Sequence, residues 1–244
     1  MKLAVLSDVH GNVEALRAVL ADLDAQGAEG IVSCGDMVGY GPDPDEAVAL
    51  LRERDAAMLA GNHELGLCRC SGLGWFNPTA RCALRVTAHL VAPQTVEFLG
   101  GLRKHLVLHG CRFVHGFPPD SAHTYLFAAD DEKIVAALEN MRQRLCFVGH
   151  THEIALAECR DGRLRRWDPG PGRVRLDPEA SCIVNVGSVG QPRDDWGKDA
   201  KYVLWDSAAQ TVDFRFVPYD SAETRRKILE RGLPARYAEI LAER

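Results

Sequence analysis

The chain has 244 residues, 46% hydrophobic and 26% charged, with a formal net charge of -5. Those values suit a globular α/β protein with a large core, and the negative balance offers no electrostatic footprint for stable nucleic-acid binding. No apolar run approaches roughly 18 residues, so no membrane-spanning helix is expected, and Met1-Lys2 leads directly into a strand, so a cytoplasmic protein is expected.

Leu3 to Leu6 reads as a buried strand, with Ser7-Asp8-Val9-His10-Gly11-Asn12 at its carboxyl end. Val13, Leu16, Val19, Leu20 and Leu23 then recur at helical spacing up to Gly27. A second strand, Gly30 to Cys34, ends in Gly35-Asp36-Met37-Val38-Gly39, and a Gly/Pro/Asp-rich loop leads to a helix near Asp45–Glu53. Ala56 to Ala60 reads as a third strand, ending in Gly61-Asn62-His63-Glu64. This β-α-β-α-β alternation predicts a layered α/β fold with polar groups gathered where strands end. Taken singly, Asp8 and Asp36 have a structural reading as helix caps, and Asn62 as a turn residue.

Gly66 to Gly74 reads as a loop, followed by helices at Pro78–Leu90 and Gln94–Gly101. His105–His109 and Cys111–His115 read as a hairpin, with His115 at the end of its second strand. His105 and His109 lack a partner pattern and are expected at the surface; His123 and Tyr125 lie in a loop whose approach to a site spacing alone does not decide. A helix at Asp130–Leu138 precedes the apolar strand Cys146 to Val148, which stops at Gly149 and presents His150-Thr151-His152. Ile154–Cys159 and Gly162–Trp167 alternate around Asp161-Gly162 as a second hairpin. Ser181–Val186, Lys201–Trp205 and Thr211–Val217 extend what reads as a mostly antiparallel sheet, and helices at Ala222–Glu230 and Pro234–Ala242 close the chain. With no repeat, linker or low-complexity segment, residues 1–244 read as a single domain. The eight cysteines include no CxxC pair; several sit in apolar strands as small hydrophobes, and the one close pair, Cys68 and Cys70, is expected reduced. The basic run at Arg163, Arg165 and Arg166 reads as a solvated strand edge.

Five strand-end clusters, Asp8-x-His10, Gly35-Asp36, Gly61-Asn62-His63, His115 and His150-x-His152, hold five of the nine histidines. Oxygen and nitrogen donors without thiolate suit Mn²⁺, Fe or Zn²⁺. They exceed one ion's coordination and fit two ions about 3.5–4 Å apart, a clamp for in-line phosphoryl displacement. The order DxH, GDxxG, GNH[DE], H, GHxH resembles the calcineurin-like metallophosphoesterases. Gly39-Tyr40-Gly41-Pro42 and Asn185-Val186-Gly187-Ser188-Val189-Gly190-Gln191-Pro192-Arg193 are similar to their compact prokaryotic phosphodiesterase branch.

The resemblance implies a four-layer α/β/β/α sandwich of two mixed β-sheets flanked by helices, with a dinuclear site at the strand ends. It implies Asp8, His10 and His152 on one metal, Asn62, His115 and His150 on the other, and Asp36 between them. The metals would be divalent, Mn²⁺ first, with Fe, Zn²⁺ or Ni²⁺ as alternatives, and would hold the attacking hydroxide. His63 would stabilise or protonate the leaving oxygen. The expected reaction is hydrolysis of a small phosphodiester or nucleotide-type phosphate ester. The alternatives are hydrolysis of dinucleoside polyphosphates and, in a different class, a protein-binding scaffold of the same fold, of which a retromer subunit is one. Retention of His63 argues against the scaffold. Glu64 stands where aspartate is frequent, to tune His63 or face the core edge. The absence of a GDxxDRG block argues against a phosphoprotein substrate. The loop Arg193-Asp194-Asp195-Trp196 reads equally as substrate-facing or as plain surface, Trp75 and Phe76 as an aromatic wall or as core, and nothing in the spacing identifies a base pocket.

Overall fold

The computed structural model describes residues 1–69 and 73–242. In chain order the elements are β1 (Lys2–Leu6), α1 (Val13–Ala25), β2 (Gly30–Ser33), α2 (Pro44–Glu53), β3 (Ala57–Met58), α3 (Asn62–Arg69), α4 (Pro78–Leu90) and α5 (Pro93–Gly100). Then follow β4 (His105–Leu108), β5 (Cys111–Val114), α6 (Asp131–Asn140), β6 (Leu145–Val148), β7 (Ile154–Arg160), β8 (Arg163–Trp167), β9 (Gly172–Arg175) and β10 (Ser181–Val186). The chain continues through β11 (Ala200–Asp206), β12 (Thr211–Val217), α7 (Ser221–Glu230) and α8 (Arg236–Ile240).

Two six-stranded mixed sheets form, in the orders β3-β2-β1-β11-β12-β9 and β4-β5-β6-β10-β7-β8. Strand alternation assigns each side chain to a layer. Leu3 and Val5 of β1 face the other sheet, meeting a cluster that includes Phe113, Phe147, Val184 and Trp205. Ala4 and Leu6 point the opposite way, onto Leu16, Val19 and Leu23 of α1. In the second sheet Leu145 and Phe147 face inward, while Cys146 and Val148 face Ile134 and Leu138 of α6. The result is the four-layer α/β/β/α sandwich. Each fully buried aliphatic or aromatic side chain contributes about 1.5–3 kcal/mol to it.

Three expectations are corrected. The strands after Gly149 do not form one antiparallel sheet: β7, β8 and β10 join the second sheet and β9, β11 and β12 the first, with β10 parallel to β6. The segment expected to begin as a loop at Gly66 is helical through Arg69 in α3. A side chain at Gly66 would come within 2.9 Å of Leu84 Cδ2 and Phe76 Cε2, so this glycine marks close helix packing and not a break. The short exposed strand β9 went unanticipated, and the third strand shrinks to Ala57–Met58. Cys34, Cys111, Cys146, Cys159 and Cys182 are buried free thiols, whereas Cys70 lies outside the described residues. The Arg163–Arg166 run lies on β8, the sheet's edge strand. Among the described residues no helix is long and apolar enough to cross a membrane.

β1 and β2 run parallel, as do β5, β6 and β10. Their carboxyl ends therefore open on one edge of the sandwich, where an α/β fold places its ligands.

Candidate metal centre

The loops at that edge are stitched to each other before any side chain is considered. Asp8 N–H donates to Gly35 O at 3.0 Å, His10 N–H to Asp36 O at 2.9 Å, Gly149 N–H to His115 O at 2.8 Å and Gly190 N–H to Asp8 O at 2.9 Å. Gly149 is required by close approach: a Cβ there would lie 2.0 Å from Ser7 Oγ and 2.5 Å from Asp8 Oδ2. Asp8, His10, Asp36, His150 and His152 all hold positive φ, between 49° and 70°. Each such residue costs on the order of 1 kcal/mol. Their concentration at one edge marks a place where backbone comfort has yielded to side-chain placement.

All eight predicted site residues come together and are buried: Asp8, His10, Asp36, Asn62, His63, His115, His150 and His152. Three groups have ligand atoms within 4.8 Å of one another: Asp8, His10 and His152; Asp36, His115 and His150; and His10, Asp36 and His63. His10 Nε2 lies 3.1 Å from His152 Nε2. His115 Nε2 lies 3.1 Å from His150 Nδ1, 3.0 Å from Asn62 Oδ1 and 3.1 Å from Asp36 Oδ2.

The far ring nitrogens explain this crowding. His10 Nδ1 reaches Val38 O at 3.0 Å, His115 Nδ1 Cys34 O at 2.8 Å, His152 Nδ1 Gln191 O at 2.7 Å and His150 Nε2 His123 O at 3.2 Å. A carbonyl accepts only, so each of these nitrogens donates, and in a neutral ring the other nitrogen turns a lone pair inward. The carboxylates are divided in the same manner. Asp8 Oδ2 accepts from His150 N–H and Asp36 Oδ1 from His63 N–H, both at 2.9 Å. That leaves Asp8 Oδ1, buried and without a hydrogen-bond partner, beside His152 Nε2 at 3.3 Å. Converging lone pairs and an unsatisfied carboxylate oxygen, with no thiolate, are the donor set of a hard or borderline divalent cation.

The electrostatics agree. Burial pushes the Asp8 and Asp36 carboxyls up, but the surrounding imidazoles outweigh it and hold both well below the usual range. Burial also opposes protonation of His115, yet Asp36 overrides it and lifts this imidazole to about 9, so its Nε2 holds a proton against Asp36 unless a cation displaces it. His150 is pushed down to about 3 by burial and by His115, and His152 to about 4 by burial and by Arg193. The two carboxylates thus make the centre a place for positive charge.

Several surrounding residues were undecided or invisible in the sequence. Glu64 accepts from the N–H groups of Asp36, Met37 and Gly61 at 2.8 Å and of Val38 at 3.2 Å. It is fully buried and braces the turn that carries Asp36, the carboxylate that in turn holds His63 N–H. Tyr40 lies 4.4 Å from both the His10 and His63 rings and is backed by Tyr237 of α8 at 4.5 Å. Phe76 is core and meets His63 edge-on at 4.9 Å, whereas Trp75 is exposed and stacks on His123. Tyr125 does approach the site, lying flat on His150 at 3.9 Å. The 193–196 loop divides. Arg193 N–H holds His152 O at 3.1 Å and its guanidinium sits over the Tyr40 ring at 5.7 Å. Asp194 pairs instead with buried Lys201 at 3.1 Å. His105 and His109 are exposed, as expected.

Comparison with known proteins follows the same lines. The model of the calcineurin-like phosphoesterase superfamily domain matches residues 1–209. The solved metallophosphoesterase of Sphaerobacter thermophilus is 33% identical, with 99% of this chain and 98% of that chain covered and a TM-score of 0.85. An uncharacterized protein of Methanocaldococcus jannaschii is 32% identical, with 99% of this chain and 96% of that protein covered. A hypothetical protein of Pyrococcus horikoshii shares the fold at 20% identity and a TM-score of 0.77, over 98% of this chain and 97% of its own.

Proposed function

Because the chain belongs to the calcineurin-like phosphoesterase superfamily, we propose that it is a two-metal hydrolase of a small phosphodiester or nucleotide-type phosphate ester. The observation that carries this reading is the set of four imidazoles whose far nitrogens are tied to carbonyls and whose near nitrogens converge on Asp8, Asp36 and Asn62. Asp8, His10 and His152 would hold one ion and Asn62, His115 and His150 the other. Asp36 would lie between them, supported by its Oδ2 standing 3.1 Å from His115 Nε2 and 3.9 Å from His10 Nε2. Mn²⁺ is the first candidate, with Fe, Zn²⁺ or Ni²⁺ as alternatives, since oxygen and nitrogen donors without thiolate suit each of them. When bound, such ions would supply Lewis-acid neutralisation of phosphoryl charge and lower the pKa of a bound water, to roughly 7 where the ion is Zn²⁺.

The chain's own groups do the rest. His63 Nε2 lies 3.9 Å from Asp36 Oδ2, and its backbone N–H is fixed by the same carboxylate. Burial, opposed by Asp36 and reinforced by His10, His115 and His152, pushes its imidazole well below the ordinary value. This favours the neutral imidazole, and His63 would stabilise or protonate the leaving oxygen. The buried, stitched loops hold every ligand in place before substrate arrives, so little reorganisation accompanies the reaction. We read residues 1–244 as one unit, since α7 packs on α1 and Tyr237 backs Tyr40.

The test is metal-dependent hydrolysis of bis-p-nitrophenyl phosphate and p-nitrophenyl phosphate by wild type and His63→Ala. Diester turnover with Mn²⁺, reduced at least about hundredfold in the variant while metal content holds, is expected. No turnover in protein holding two ions would turn the reading towards a scaffold.

A further inference from the structure

A groove of about 550 Å³ opens directly beside the metal centre, within the size range of small-ligand sites. Thr151, between His150 and His152, lines its inner end together with Arg193, and Phe127 and Trp167 border it further out. A second observation joins the groove to the centre. Tyr125 lies on His150 with an interplanar angle of 10°, and Phe127 lies on Tyr125 at 4.9 Å and 12°. Three flat rings thus run outward from a metal-centre imidazole, and the outermost, Phe127, is 59% exposed. Exposed aromatic faces of this kind are stacking platforms for planar groups.

The charges along the groove limit what can fill it. Arg193, at the inner end, forms no ion pair among the described residues; it donates to Gln191 Oε1 at 2.7 Å and lies over Tyr40. Arg166 is engaged by Asp131 at 3.0 Å. Glu153 and Asp194 line the groove near Arg193, Asp194 being paired with Lys201. Asp195 and Asp168 complete an acidic lining, Asp168 already accepting from Trp196 Nε1 at 2.8 Å and Gly170 N–H at 3.0 Å. Carboxylates there accept hydrogen bonds from hydroxyl or amino groups but repel anions. A single cation free of ion pairs among carboxylates, with aromatic faces beyond it, calls for one phosphate followed by a planar, donor-bearing group.

We propose that this groove is the subsite for the non-reacting substituent of the ester and that it takes a nucleoside, with Phe127 stacking the base and Arg193 meeting the phosphate. The proposal rests on the phosphoesterase reading and narrows it to esters with a single phosphate. A dinucleoside polyphosphate would have to lay further phosphates against Asp168 and Asp195.

Three diesters that share 4-nitrophenol as leaving group separate the possibilities: the thymidine 5′-ester, the choline ester and the ethyl ester. With metal-loaded protein, kcat/KM for the thymidine ester should exceed that for the ethyl ester by about tenfold, mainly through KM. Phe127→Ala should cut that ratio by a similar factor. Equal kcat/KM for the two esters, a ratio indifferent to Phe127→Ala, or a preferred choline ester would each overturn the nucleoside assignment. Should no ester be hydrolysed, the phosphoesterase reading fails, and thymidine 5′-monophosphate titrated against tryptophan fluorescence still decides the subsite. Saturable binding weakened by Phe127→Ala supports it, and no binding at millimolar concentration overturns it.

Discussion

The two flanks of the metal centre are built in opposite ways. On the side of His10 and His63, Tyr40 is wedged between the imidazoles and Tyr237, and the remaining cavity is about 10 Å³, too small for a ligand. On the side of His150 the cover is a stack of partly exposed rings beside the large groove. One flank is a wall and the other a doorway. The wall also draws on α8, beyond the residues 1–209 that the family model matches. On the proposed function, rigidity sits where metal ligands would be held and exposed surface where substrate would enter.

Substitutions on the two flanks should therefore separate stability from substrate handling. The largest effect is expected behind the wall, at Glu64→Ala. It strips one buried carboxylate from four backbone N–H groups, and each orphaned donor costs about 1–3 kcal/mol. Stability should fall by about 4 kcal/mol or more in urea titration, and metal retention should fall with it. Next is Tyr237→Ala, which removes a buried ring from behind Tyr40. A loss of about 3 kcal/mol is expected, with KM in the surviving folded enzyme little changed. The smallest effect on stability should come from Tyr125→Ala at the doorway. Its ring is 37% exposed, so a loss of about 1 kcal/mol or less is expected together with a several-fold rise in KM. A Tyr237→Ala variant that loses substrate affinity, or a Tyr125→Ala variant that loses several kcal/mol, would erase the distinction.

Metal removal tests the same contrast globally. The inward lone pairs and the unsatisfied Asp8 Oδ1 belong to the native state only, so ions at about a thousand times their Kd should stabilise it by about 4 kcal/mol. At this chain length, chelation should lower Tm by roughly 8–16 °C. Protection from hydrogen exchange should be lost at the strand-end loops before it is lost in β1 and β6.

How far the sequence reached follows the same division. The gathering of the eight candidate residues was legible because a donor just after an apolar strand announces itself, and five such endings exceed chance. The two-sheet sandwich was legible through the family's motifs, not through the strands, since alternation in β7, β8 and β11 gave antiparallel pairing but not which sheet each joined. Tyr40 and Tyr237 meet across 197 positions of chain, and no local pattern encodes such a pair. Glu64 was placed by its motif, but its four N–H partners come from a turn 26–28 residues away and from Gly61. The ledge of Tyr125 and Phe127 lies in an irregular loop, where neither period 2 nor period 3.6 signals which way a ring faces.

Whether these loops assemble a two-ion hydrolytic centre can be decided by titrating metal-stripped protein with Mn²⁺ and following diester hydrolysis and bound metal together. Activity should climb until two equivalents are bound, and Asp36→Asn should never reach that plateau. Full activity at one equivalent, or two bound ions with no hydrolysis of any phosphate ester, would contradict the two-ion reading.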